Sequence, residues 1–155
     1  MAETLTQHFI SANEWYSLDY PRMWEMEVVE NIAAFFDPLF GKGALQVFCV
    51  KTGDIDALPD DLAQYPFLKG ESLQDKMLIF LQTQKVNIEP DDITVFRRDD
   101  IDFVANEYQQ EERFYMVCMM QKEETFLLAL YNCKDQPEKE EADNIGSILK
   151  SIRIA

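Results

Sequence analysis

A chain of 155 residues is long enough to bury one sizeable core, and its formal charge of −15, from 14 basic against 29 acidic residues, disfavours direct binding to a phosphate backbone. Its longest unbroken apolar runs, 114–120 and 126–131, fall far short of the ~20 residues that a membrane-spanning helix needs. Cys49, Cys118 and Cys133 are odd in number and include no Cys-x-x-Cys pair, so they read as small buried hydrophobes rather than as a disulfide framework.

The opening residues hold neither a basic n-region nor an apolar h-region, and the chain therefore reads as soluble and cytoplasmic, without a secretory leader. His8 is the only histidine. A Ser-His or Cys-His dyad would have this single candidate base and no nucleophile signature near it, so a packed or solvated ring is the simpler reading.

Alternating patterns then predict strands at 15–19, 26–30, 32–36 and 44–51; in the last of these Leu45, Val47 and Cys49 form one face. Pro21 sets a turn after the first strand, and Trp24 at its exit is expected to close over the core rather than hold a ligand. The segment 37–43 contains Gly41-Lys42-Gly43, which lacks the following helix pattern of a phosphate loop and reads as a hairpin connection.

Helical spacing follows. A short acidic segment at 54–68 is interrupted by Pro59 and Pro66, and a firmer helix begins at Ser72, with Leu73, Met77, Phe80, Leu81 and Gln84 on one stripe and Asp75 placed for the N-terminus. After Pro90 the pattern becomes a meander of strands at 93–97, 101–108, 113–121 and 125–133.

The third and fourth of these are apolar in both alternating sets. Phe114, Met116 and Cys118 on one face, and Tyr115, Val117 and Met119 on the other, are expected to be buried, with helices on both sides of an antiparallel sheet. Asp135 and Pro137 are expected to open a last helix, with Ala142, Ile145, Ile148, Leu149 and Ile152 as its buried stripe. Glu138, Glu140 and Glu141 suit its positive end, and Lys150 and Arg153 its negative end.

Several features carry a resemblance. The strand from Tyr16 runs into Tyr20-Pro21 and Trp24, and Phe35-Phe36-Asp37-Pro38 leads to Leu45-Gln46-Val47. The long meander and the closing helix through Ile145, Ile148 and Arg153 complete the order. In that order the chain resembles the PsbP-like superfamily, which includes a lumenal photosystem II subunit, a nuclear-import factor acting on the GTPase Ran, and many small bacterial domains, to which it is most similar. The resemblance implies an α/β (α+β) fold, a three-layer α/β/α sandwich with a central antiparallel sheet, in one domain spanning 1–155. It implies no activity, since fold and function are separable.

No site of known spacing emerges. Zinc would need four paired N or S donors, and a calcium loop at 54–61 is spoiled by Leu58 and Pro59, so neither metal nor cofactor is expected. Asp54, Asp56, Asp60 and Asp61 form an acidic cluster that reads first as solvated surface and second as a contact for a basic partner. The expected function is a non-enzymatic protein-binding module with an acidic surface, a monomer or weak dimer. The alternatives are an immunity or inhibitor-type protein masking a basic partner, and an enzyme using carboxylates in a cleft.

Overall fold

The computed structural model describes residues 5–30, 32–51, 66–69 and 71–155. Its strands are β1 (Thr6–Ile10), β2 (Tyr16–Pro21), β3 (Glu25–Val29), β4 (Ile32–Phe36), β5 (Ala44–Lys51), β6 (Thr94–Arg98), β7 (Ile101–Gln110), β8 (Arg113–Lys122), β9 (Thr125–Lys134) and β10 (Arg153–Ile154). Two α-helices are described, α1 (Leu73–Thr83) and α2 (Lys139–Ser151), with short 3-10 turns at Pro66–Lys69 and Pro90–Asp92. The fold is mixed α/β with a large antiparallel sheet and two helices.

Seven strands hydrogen bond in the order β3-β4-β5-β9-β8-β7-β6, and β1-β2-β10 form a separate small sheet. By its contacts the chain divides into two compact units: Met1–Cys49 with Glu107–Met116 and Ala129–Ala155, and Val50–Asn106 with Val117–Leu128.

In the first unit β2 alternates as its sequence predicts, burying Tyr16, Leu18 and Tyr20. Its partner β1 is almost wholly exposed and lacks an inward face of its own, which is why hydrophobic periodicity did not predict it. Phe9 is the exception, meeting Phe35 edge-on at 5.4 Å, while Tyr20 lies 5.0 Å from the same ring. Helix α2 packs on β2 through Ile145 and Ile148.

That helix begins at Lys139, later than Asp135 and Pro137 suggested. Asp135 instead has φ 61° and donates its N–H to the Glu112 carbonyl at 2.8 Å, a turn role rather than a cap. Glu138 occupies the cap position without a side-chain bond to the helix.

The second unit contains α1, whose Ser72 accepts the Asp75 N–H at 3.0 Å as the sequence predicts, and whose Met77, Phe80 and Leu81 are buried. Phe67 meets Phe80 edge-on at 5.5 Å and lies 6.0 Å from Phe126. Two-sided burial holds for β9 from Thr125 to Ala129, and for β8 over Val117, Cys118, Met119 and Met120. Tyr115 and Met116 are only half-buried, so the expected burial of both faces fails at that end of β8. Tyr115 is stacked on Tyr108 at 4.8 Å, a cross-strand pair that shields ring faces without enclosing them.

Candidate functional site

Two loops of the first unit converge on one surface. In the earlier one the Trp24 N–H donates to the Pro21 carbonyl at 3.0 Å, closing a turn whose entry Pro21 pre-sets. β1 holds this turn from the side: the Arg22 N–H donates to the Leu5 carbonyl at 2.8 Å, and Gln7 Nε2 donates to the Arg22 carbonyl at 3.0 Å. The turn drives Trp24 inward, where it is 5% exposed, and Met23 outward, where it is 74% exposed.

The second loop follows β4. Asp37 Oδ1 accepts the N–H groups of Leu39 and Phe40 at 3.0 and 3.2 Å, and the Gly41 N–H donates to the Asp37 carbonyl at 3.1 Å. This short-range bonding by an aspartate to its own loop is the physical basis of such turns. Leu39 and Phe40 are left 69% and 80% exposed.

A buried carboxylate ties this loop to the helix. Glu141 Oε2 accepts the Lys42 N–H at 2.8 Å, and Glu141 Oε1 accepts the Tyr131 hydroxyl proton. Burial, with the hydrogen bonds to Cys133 and Glu141, holds the Tyr131 phenol well above its ordinary range, so it remains a donor. Close approach explains both glycines. A Cβ at Gly41 would lie 2.7 Å from the Asp37 carbonyl oxygen and from Glu141 Oε2, and one at Gly43 would lie 2.0 Å from the Asn132 carbonyl oxygen. Lys42 closes the arrangement, donating from Nζ to the Gln136 carbonyl at 2.9 Å beside Glu138 Oε1 at 3.4 Å.

Between the loops lies a groove with a volume of about 390 Å³, lined on its apolar side by Leu5, Met23, Trp24, Leu39 and Phe40. Arg22 of the turn and Glu140 and Asn144, one helical turn apart on α2, also line it. A second hollow of about 320 Å³ shares Asp37, Phe40, Glu140 and Asn144 with the first and adds Glu138, Lys139 and Glu141. Most of the apolar lining thus belongs to the first hollow, and more of the carboxylates to the second. The size matches that of small ligand or side-chain pockets.

The residues marked by sequence fare differently. Asp54, Asp56, Asp60 and Asp61 lie outside the described residues. His8 is exposed and faces Asp19 across the small sheet, with Nδ1 2.7 Å from Oδ1, while the nearby Ser151 hydroxyl bonds the Asp19 and Ile148 backbone. Cys49, Cys118 and Cys133 are free and buried, and burial pushes the Cys118 thiol up to about 12, against the opposing pull of Arg98. Among the described residues no three His, Cys, Asp or Glu side chains cluster as metal ligands, and no helix is long and apolar enough to cross a membrane.

Sequence reasoning missed the groove itself. Trp24 was legible as a lid, but the exposure of Leu39 and Phe40 depends on the loop geometry. By sequence Glu141 reads as one of three acids at the helix start, although 141, 145, 148 and 152 share one helical stripe.

No family model matches the chain, and a search of curated proteins finds no match. Among solved structures it is similar to a crystal structure from Bacteroides thetaiotaomicron, with TM-score 0.56 and 15% identity over 96% of this chain, which spans about half, 48%, of that one. It is also similar to the solution structure of cyanobacterial PsbP (CyanoP) from Synechocystis sp. PCC 6803, with TM-score 0.56 and 13% identity over 100% of this chain and 95% of that one. At such identities the likeness concerns architecture alone, and the fold of this chain is PsbP-like.

Proposed function

We propose that the protein is a non-enzymatic binding domain that docks another protein in the groove between Met23 and Phe40. The observation that carries the reading is the exposure of Leu5, Met23, Leu39 and Phe40 around a single hollow floored by buried Trp24. Scattered apolar side chains at a surface are ordinary, whereas a contiguous set around a concavity marks a contact site. The two loops are already held by their own hydrogen bonds, so little ordering entropy would be lost on docking.

The competing reading, an enzyme with carboxylates in a cleft, needs at least a pair of uncommitted acids facing one space. Around this groove Asp37 is occupied with loop amides, Glu138 with Lys42, and Glu141 with Tyr131 and the Lys42 N–H. That leaves Glu140 and favours binding over acid–base chemistry. A protein that masks a basic partner is one form of the binding reading. We read the fold at finer detail as a three-layer α/β/α sandwich, supported by the burial of both alternating sets in β9.

Affinity purification from the native cell tests the function with the intact chain, Phe40→Ala, and Val95→Ala as a control at another exposed apolar residue. The expected result is a protein recovered with the intact chain and the control and lost from Phe40→Ala. The same set of proteins from all three would contradict it.

A further inference from the structure

We infer that the groove takes an extended segment of the partner in which an apolar side chain is followed closely by a lysine or arginine, the apolar group seated against Trp24 and Phe40 and the cation held at Glu140. This rests on the protein-binding reading above and adds the chemistry of the occupant.

The two hollows that share Phe40 differ in character. On the turn side the walls are Leu5, Met23, Trp24 and Leu39. The second hollow adds Glu138 and Glu141 to the Asp37 and Glu140 that both hollows share, with Lys139 as its one lining cation among the described residues. A large apolar group gains by leaving water on the first side, and a positive charge gains on the second. The two hollows adjoin through the Phe40, Glu140 and Asn144 that they share, so neighbouring residues of an extended chain can satisfy both.

The carboxylates are not equivalent. Asp37, Glu138 and Glu141 already have the protein partners described above, whereas the Glu140 side chain has no hydrogen bond or ion pair among the described residues and lines both hollows. Glu140 is therefore the acid available to an incoming cation, and Asn144, one turn further along the same face, can accept from it. Arg22 lines the first hollow and not the second. Its charge repels a cation entering from that end, which sets the direction of the segment: apolar residue toward the turn, basic residue toward the helix. The protein as a whole, at −15, attracts such a segment over distance and repels anionic surfaces, membranes of anionic lipid included.

A displayed library of random peptides, selected on the intact protein and counter-selected on Phe40→Ala, reads out the occupant directly. The expected result is enrichment of peptides pairing an aromatic or aliphatic residue with lysine or arginine. Synthetic versions should then bind by fluorescence anisotropy, lose at least about tenfold in affinity with Phe40→Ala, and weaken severalfold with Glu140→Gln. Replacing the basic residue of the peptide should abolish the Glu140→Gln effect.

Enriched peptides that are neutral or acidic, or basic peptides indifferent to Glu140→Gln, overturn the occupant while leaving the groove as a protein-binding site. No enrichment over Phe40→Ala overturns both readings. Sedimentation with vesicles of anionic phospholipid in place of any peptide binding would transfer the surface to a membrane and overturn the proposal.

Discussion

Trp24 and Phe40 line the same groove from opposite ends of the burial scale, and their truncations should behave accordingly. Trp24→Ala empties a core position and is expected to cost about 3–5 kcal/mol in urea unfolding. Phe40→Ala removes a ring already in water and should stay within about 0.5 kcal/mol of the parent. A small effect of Trp24→Ala would mean that the turn is not anchored as described. Gly43→Ala is the sharpest steric case, because its Cβ would meet the backbone oxygen of Asn132 at 2.0 Å, where no flexible side chain can yield. Its cost should reach or exceed about 1–3 kcal/mol, read as a lowered thermal midpoint.

Titration belongs to this scale as well. Burial raises the folded pKa values of Cys118, Tyr16 and Tyr131 above their ordinary values of 9.0 for the thiol and 10.0 for the phenols. The unfolded chain releases these protons first as pH rises, while the folded chain retains them. Their contribution to stability is therefore complete below the thiol's ordinary value and is lost as pH rises through the window above it. Urea midpoints at about pH 8 and about pH 11 should differ, the alkaline one being lower.

Hairpins carry most of the element-level chemistry. The β7–β8 turn places Glu111 and Glu112 at φ 53° and 67°, and Glu30, Asp99 and Glu123 take positive φ in the other tight turns, while none of the described glycines does. Two consecutive positive φ values suit a primed turn that asparagine and glycine fill more easily. Glu112→Gly should therefore stabilise the protein by some tenths of a kcal/mol, seen as a raised urea midpoint. An unchanged or lowered midpoint would show that the glutamate is held by contacts worth more than its strain.

Most of the elements that can be read from sequence have a face buried along much of their length. β2, β5, β9, α1 and α2 have it, and their periodicity announces them. β1 and β3 do not, since nearly every residue of each is exposed; β3 was still legible from its β-branched residues, and β1 was not. α2 starts later than Asp135 and Pro137 predict, because Asp135 takes a positive-φ turn conformation and not a cap. The candidate site was legible only in pieces. Pro21 and Trp24 stood out by type, whereas Phe40 gains its meaning from the Asp37 bonds that turn it outward, and Glu140 differs from Glu141 only in which side of the helix each faces.

For the molecule as a whole, charge governs approach and the groove governs capture. With −15 overall, association with a basic partner should slow as salt rises, because attraction is screened beyond about 8 Å at physiological ionic strength. Stopped-flow on-rates across a salt series should show this, with dissociation much less affected. A PsbP-like scaffold does not prescribe the partner, so the decisive information lies at the groove rather than in the fold. Site-specific photo-crosslinking in living cells tests this most directly, with a photoreactive phenylalanine analogue at position 40 and, separately, at exposed position 95. The account predicts a discrete protein adduct from position 40, absent from position 95 and suppressed by Met23→Ser in the same chain. Equal labelling from both positions, or no adduct at position 40 while a partner still binds, would contradict it.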